Sequence, residues 1–144
     1  MASLRKFGTF IVFSCLVLSG CGNKQIPFTD YLVENLLREN LGKLAEPAIF
    51  EVKSVLVNSK QSDGASGTAT VDVELYFPED FDTVVELRKL EPFNIEYLQY
   101  KSSFGKFEAG ETQVHHARYQ FENRSGKWMV TGSQAIAAPD VRKP

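Results

Sequence analysis

The chain has 144 residues, 43% of them hydrophobic and 24% charged, with a formal net charge of −2 at neutral pH. That length fits one domain, and eleven Phe, five Tyr and one Trp supply enough aromatic volume for a compact core. Mild acidity excludes both an electrostatic footprint for nucleic acid and a basic patch for anionic lipid headgroups. No nucleic-acid partner is expected, and membrane attachment would have to come from one particular segment.

The amino terminus supplies such a segment. Arg5 and Lys6 precede an apolar run from Phe7 to Leu18. As a helix, this run of about 12 residues would span roughly 18 Å, well short of the ~30 Å hydrocarbon core of a bilayer. Its length and basic flank are those of an export signal. The run ends Leu18-Ser19-Gly20-Cys21, which resembles the lipobox of bacterial lipoproteins: an aliphatic residue, two small residues, then cysteine. The resemblance implies cleavage before Cys21, a thioether-linked diacylglyceryl group on its sulfur and an acyl chain such as palmitate on its new amino group. Cysteine usage agrees. Of the two cysteines, Cys15 lies in the leader, and Cys21 would be left without a disulfide partner. Gly22, where an Asp would favour inner-membrane retention, points to the periplasmic face of the outer membrane if the envelope is Gram-negative. The expected organisation is a removed signal peptide over 1–20, a lipidated tether over 21–27, one domain over 28–137 and a flexible polar tail over 138–144.

Within the domain, Pro27 to Leu41 reads as a helix. Thr29 or Asp30 can cap it, Leu32, Val33, Leu36, Leu37 and Leu41 form one apolar stripe, and Gly42 can end it in a left-handed turn. Ile49 to Ser59 reads as a strand whose apolar phase changes between the pair Phe50 and Val52 and the pair Val55 and Val57. A bulge near Lys53–Ser54 would turn both pairs to the core. Asp63-Gly64 and Ser66-Gly67 signal a turn. Thr68 to Phe77 alternates cleanly, which predicts the second arm of a long hairpin. Thr83 to Leu90 carries a capping-box pattern for a short helix, although Val84, Val85 and Leu87 also suit a strand. Phe93, Ile95 and Tyr97 alternate, which predicts a strand from Phe93 to Lys101, followed by a loop over 102–110. Gln113 to Glu122 is predicted as a strand with His115, Ala117, Tyr119 and Phe121 on one face. After a turn at Asn123–Gly126, Lys127 to Ala137 completes a last hairpin with Trp128 and Val130 inward.

This order predicts an α+β domain, an N-terminal helix packed on a curved antiparallel sheet of about five strands. The ending Tyr119-Gln-Phe121 … Gly126-Lys-Trp128-Met-Val130 is similar to the last hairpin of many cystatin-like and NTF2-like domains. The resemblance implies that Trp128 and Val130 plug the open side of a cone. That superfold carries enzymes, inhibitors, secretion-machine parts and scaffolds, so it assigns no function.

Chemistry-bearing motifs are sparse. His115 and His116 are adjacent on a strand and so point to opposite faces, with no third His or Cys ligand at a useful spacing. No metal or other cofactor is expected. An NTF2-like enzyme would need His115 and a carboxylate inside the cone, but Asp72, the strand carboxylate considered, falls on the polar side of its strand. Glu79, Asp80, Asp82 and Glu86 read as a solvated, helix-starting acidic patch, since they lack the spacing and the Gly of a calcium loop. Phe104 and Phe107, in an otherwise polar stretch, are candidate partner-binding anchors, and the competing reading folds both rings back over the sheet. The leading expectation is a membrane-anchored envelope lipoprotein. Its domain would be non-catalytic and bind a protein, in a secretion, conjugation or envelope-assembly complex. The alternatives are a binder of a small apolar ligand between helix and sheet, in a cavity lined by Tyr31, Tyr97 and Tyr119, and an NTF2-like enzyme.

Overall fold

The computed structural model describes residues 26–44 and 48–137. The leader, Cys21 with most of its tether, and the tail from residue 138 lie outside the described residues. Helix α1 spans Asp30–Gly42 and is capped by Thr29, whose hydroxyl accepts from the Leu32 amide at 3.2 Å. Val33, Leu37 and Leu41, four residues apart, are its buried seam. The expected left-handed turn at Gly42 is not formed. Gly42 is the last helical residue, and Lys43 closes the helix with right-handed backbone angles.

Strands β1 (Glu51–Ser62) and β2 (Ser66–Phe77) form the long hairpin. Its register shifts between Val52 and Ser54, where the phase change calls for an extra residue, and again between Val57 and Ser59. The first shift turns Phe50, Val52, Val55 and Val57 to one side, and all four pack on the core. Ala69, Val71, Val73, Leu75 and Phe77 are buried along β2, alternating with half-buried residues. The hairpin turn is fixed by Asp63, whose carboxylate accepts from the amides of Ala65 (2.9 Å) and Ser66 (2.7 Å).

Helix α2 (Phe81–Arg88) starts two residues before the predicted capping Thr83, because the Asp80 carboxylate accepts from the Thr83 amide at 2.6 Å and caps the turn itself. The segment after it corrects the sequence reading. Residues 95–104 form helix α3 (Ile95–Phe104), not a strand. Asn94 caps it through the Glu96 amide at 2.8 Å. Tyr97, Tyr100 and Phe104, at helical spacing, face the core, whereas the alternating pair Phe93 and Ile95 is exposed. Nor has the sheet a vacancy for a fifth strand there. Strand β3 (Glu111–Arg124) pairs directly with β2 along its whole length, from Ser66↔Glu122 to Phe77↔Glu111, and β4 (Lys127–Ala135) pairs with β3. The result is an antiparallel four-stranded sheet in the order β1-β2-β3-β4.

Two ends of this sheet differ in character. At one end lie both hairpin turns, tied by the Asn123 amide to the Ala65 carbonyl at 2.8 Å, and the entering chain. There the Trp128 indole N–H donates to the Ile26 carbonyl at 2.8 Å, and the Phe28 ring lies 4.8 Å from Trp128 and 5.2 Å from Phe121. Phe28 also sits over Gly67, where a Cβ would come within 2.9 Å of its ring. At the other end, ten residues along β2 or roughly 33 Å at strand rise, α2 and α3 are inserted between Phe77 and Glu111. Phe77 is the hub of this end, stacked 4.2 Å from Phe107 and edge-on to Phe50 and Phe104.

Candidate functional site

The expected anchors Phe104 and Phe107 do not project to solvent. Phe107 is 2% exposed and stacks on Phe77. Phe104 is half-buried among Phe50, Phe77 and His115. Because α3 extends to Phe104, and the Phe107 carbonyl receives the Phe81 amide at 2.9 Å, both rings are drawn onto the sheet and complete the core. Their assignment as exposed partner-binding residues is therefore corrected.

Exposed apolar residues lie instead at the end of α2 and in the first turns of α3. Phe93 is 93% exposed, Ile95 74%, Leu87 73% and Leu98 51%. The Arg88 guanidinium holds the two helices together, donating to Glu96 at 2.8 Å and to the Tyr100 hydroxyl at 3.0 Å. Leu87 and Ile95 are the chain neighbours of that bridge. Tyr100 in turn donates to Glu96 at 2.5 Å. Burial, aided by the Glu96 carboxylate, pushes the Tyr100 phenol up to about 12, while its hydrogen bond keeps Glu96 below the usual carboxylate range. The bridge is a brace for this corner, and the apolar residues around it are not covered.

A second feature is a cleft of about 410 Å³ on the helix-covered face. Its floor includes Val73 and Leu75 of β2 with Ala117 and Tyr119 of β3, and its walls include Leu41 of α1 and Phe104 of α3. His115 lines it as well. Of the three tyrosines expected around a cavity, only Tyr119 lines this cleft. Tyr31 is exposed, and Tyr97 packs edge-on against Phe81.

The histidines separate as adjacent strand residues must. His115 faces the cleft, where Nε2 lies 2.8 Å from the Gln113 side-chain oxygen. Burial, with a smaller contribution from His116, holds its pKa below the ordinary imidazole value. His116 is on the other face, Nδ1 2.5 Å from Asp72 Oδ1. Burial of Asp72 opposes ionisation, but hydrogen bonds from His116 and Asn58 outweigh it and keep the carboxyl below its usual range. The carboxylate weighed for His115 thus belongs to His116, its cross-strand partner in the β2–β3 register. The sequence carried no signal of that pairing, since it depends on register. No three of His, Cys, Asp and Glu are grouped to hold a metal ion among the described residues. No helix among the described residues is long and apolar enough to cross a membrane.

What the coordinates define is a class of architecture: an α+β domain with helices on one face of an open four-stranded antiparallel sheet. Comparison with known proteins adds no relative, since no family model, curated protein or solved structure gives a significant match to this chain.

Proposed function

We propose that this protein is an envelope lipoprotein, held by acyl chains on Cys21, whose domain binds another protein through the α2–α3 corner. One observation carries the reading: Leu87 of α2, Phe93 just before α3, and Ile95 and Leu98 of α3 are all more than half exposed, on the two helices that the Arg88–Glu96 ion pair joins. A residue just before a helix N-cap ordinarily packs on the fourth helical residue. Here that pair is Phe93 and Leu98, and Phe93 is left in solvent. Full burial of each such side chain contributes about 1.5–3 kcal/mol, so a partner covering the corner would gain substantially. The location also suits the anchor. The first described residue, Ile26, lies beside Trp128 at the hairpin-turn end, a tether of the five residues before it would reach at most about 17 Å, and α2 and α3 lie at the opposite end of the sheet. A domain tethered in this way would present the corner away from the bilayer, to a component of a secretion, conjugation or envelope-assembly complex.

The element order, a helix, a hairpin, inserted helices and a second hairpin in one meander, supports the cystatin-like or NTF2-like reading of the fold. The test is site-specific photocrosslinking of the intact protein in its own membranes. A crosslinker at position 93 or 95 should give a discrete protein adduct that Leu87→Asp abolishes, and one at exposed Leu56 on β1 should not. Equal adducts from 56 and 93, or adducts insensitive to Leu87→Asp, would overturn the docking reading.

A further inference from the structure

The cleft between α1, α3 and the sheet contains a hydrogen-bonding group whose state its neighbours fix. The Gln113 side-chain nitrogen donates to the Phe104 carbonyl at 2.8 Å and to the Glu111 carboxylate at 3.2 Å. Both partners can only accept, so the amide is oriented and its oxygen faces the other way. That oxygen meets His115 Nε2 at 2.8 Å. A carbonyl oxygen cannot donate, so Nε2 carries the hydrogen. Burial keeps the ring neutral, and Nδ1 is therefore a lone-pair acceptor. Among the described residues Nδ1 has no protein partner, and no side-chain polar atom there is both sealed from solvent and unpaired, so Nδ1 retains some contact with solvent on a ring that lines the cleft. The Tyr119 hydroxyl, on the same strand face two register positions beyond Ala117, is in the same condition: without a protein partner, yet accessible.

We propose that this cleft binds a small apolar molecule bearing one hydroxyl group, which donates to His115 Nδ1 while its carbon frame lies on Val73, Leu75, Ala117 and Leu41. The volume, about 410 Å³, is within the range of small-molecule sites and suits a frame of about ten to fifteen non-hydrogen atoms. The Gln113 relay matters because a ring free to flip would present Nε2–H or Nδ1 indifferently. Anchored at Phe104 and Glu111, the relay offers an acceptor alone. Such a site prefers donors, so it discriminates an alcohol or phenol from its methyl ether.

The probe is 2-naphthol, with 2-methoxynaphthalene as the control lacking the donor, added to the full chain in nanodiscs of zwitterionic lipid. Imidazole nitrogen resonances of His115 are followed by long-range proton–nitrogen spectra, and each affinity is referred to the free aqueous probe concentration, measured against empty nanodiscs, so that unequal partition into lipid does not set the ratio. The free protein should have Nε2 protonated and Nδ1 bare. 2-Naphthol should move the Nδ1 resonance saturably, and the ether should bind about fivefold more weakly, the loss expected for one neutral hydrogen bond. His115→Phe, followed instead through the methyl resonances of Val73, Leu75 and Ala117 that line the cleft, should bring both probes to one affinity. Ser133→Phe, a substitution at the exposed rim that leaves the core untouched, should block both. Protonated Nδ1 in the free protein, equal affinity for the two probes, binding that survives Ser133→Phe, or no saturable shift at millimolar 2-naphthol would each overturn the proposal.

Discussion

Trp128 is the residue through which the entering chain, β4 and the core depend on one another. Its ring is 3% exposed, lies against Phe28, and its indole N–H binds the Ile26 carbonyl at 2.8 Å. Trp128→Ala removes the ring, leaves Phe28 without one of its two ring neighbours and releases Ile26. Truncation of a buried aromatic costs about 3–5 kcal/mol. For a domain of about this size each kcal/mol lowers the melting midpoint by roughly 4 °C, so a fall of about 12–20 °C is expected. Trp128→Phe keeps a ring and loses the donor together with some packing area. Its hydrogen-bond part is about 0.5–1.5 kcal/mol, so the variant should fall well inside the alanine value. Because this is the chain's single Trp, the assay is far-ultraviolet circular dichroism during urea unfolding. A loss below about 1 kcal/mol for Trp128→Ala would refute the placement of β4 and of the entering chain.

Gly67→Ala places a Cβ 2.9 Å from the Phe28 ring, and overpacking of this kind costs about 1–3 kcal/mol. Phe28→Leu in the same chain should recover part of that loss, and the absence of any rescue in urea unfolding would contradict the contact. Stability should also depend on pH through His115. Its folded pKa is depressed below 6.5 by burial. The unfolded chain therefore takes up the proton first, and stability that is full above about pH 6.5 is lost as pH falls through the folded value. The carboxylates with lowered values, Glu39, Asp63, Asp72, Asp80 and Glu96, act in the same direction but only below their ordinary values of 3.8 to 4.5. Unfolding measured between pH 7 and pH 5 should show a decline that His115→Gln flattens, and an unchanged slope in that variant would contradict the assignment.

Much of the fold was legible because its signals are local. The alternation of Thr68–Phe77 dictates one buried face, and the offset between Val52 and Val55 called for the extra residue found there. What failed was a choice of period. Phe93, Ile95 and Tyr97 alternate as a strand would, yet Tyr97, Tyr100 and Phe104 recur as a helix does, and Asn94 after Pro92 supplies the cap that decides between them. With α3 misread as a strand and a loop, Phe107 lost the context that buries it against Phe77. The candidate sites were less legible for a related reason. The bond of His116 to Asp72 depends on a register set by residues along the whole of β2 and β3. The amide that fixes His115 depends on where α3 ends. The exposed corner at Phe93 became apparent only once the helix had divided covered residues from uncovered ones.

Anchoring is the claim on which the proposed role rests, and intact-mass and peptide spectrometry of the protein from its native membranes tests it directly. The expected result is a chain beginning at Cys21, with a diacylglyceryl group on sulfur and an acyl chain on the amino group. A mature amino terminus at any other residue, or Cys21 with a bare thiol, would contradict it.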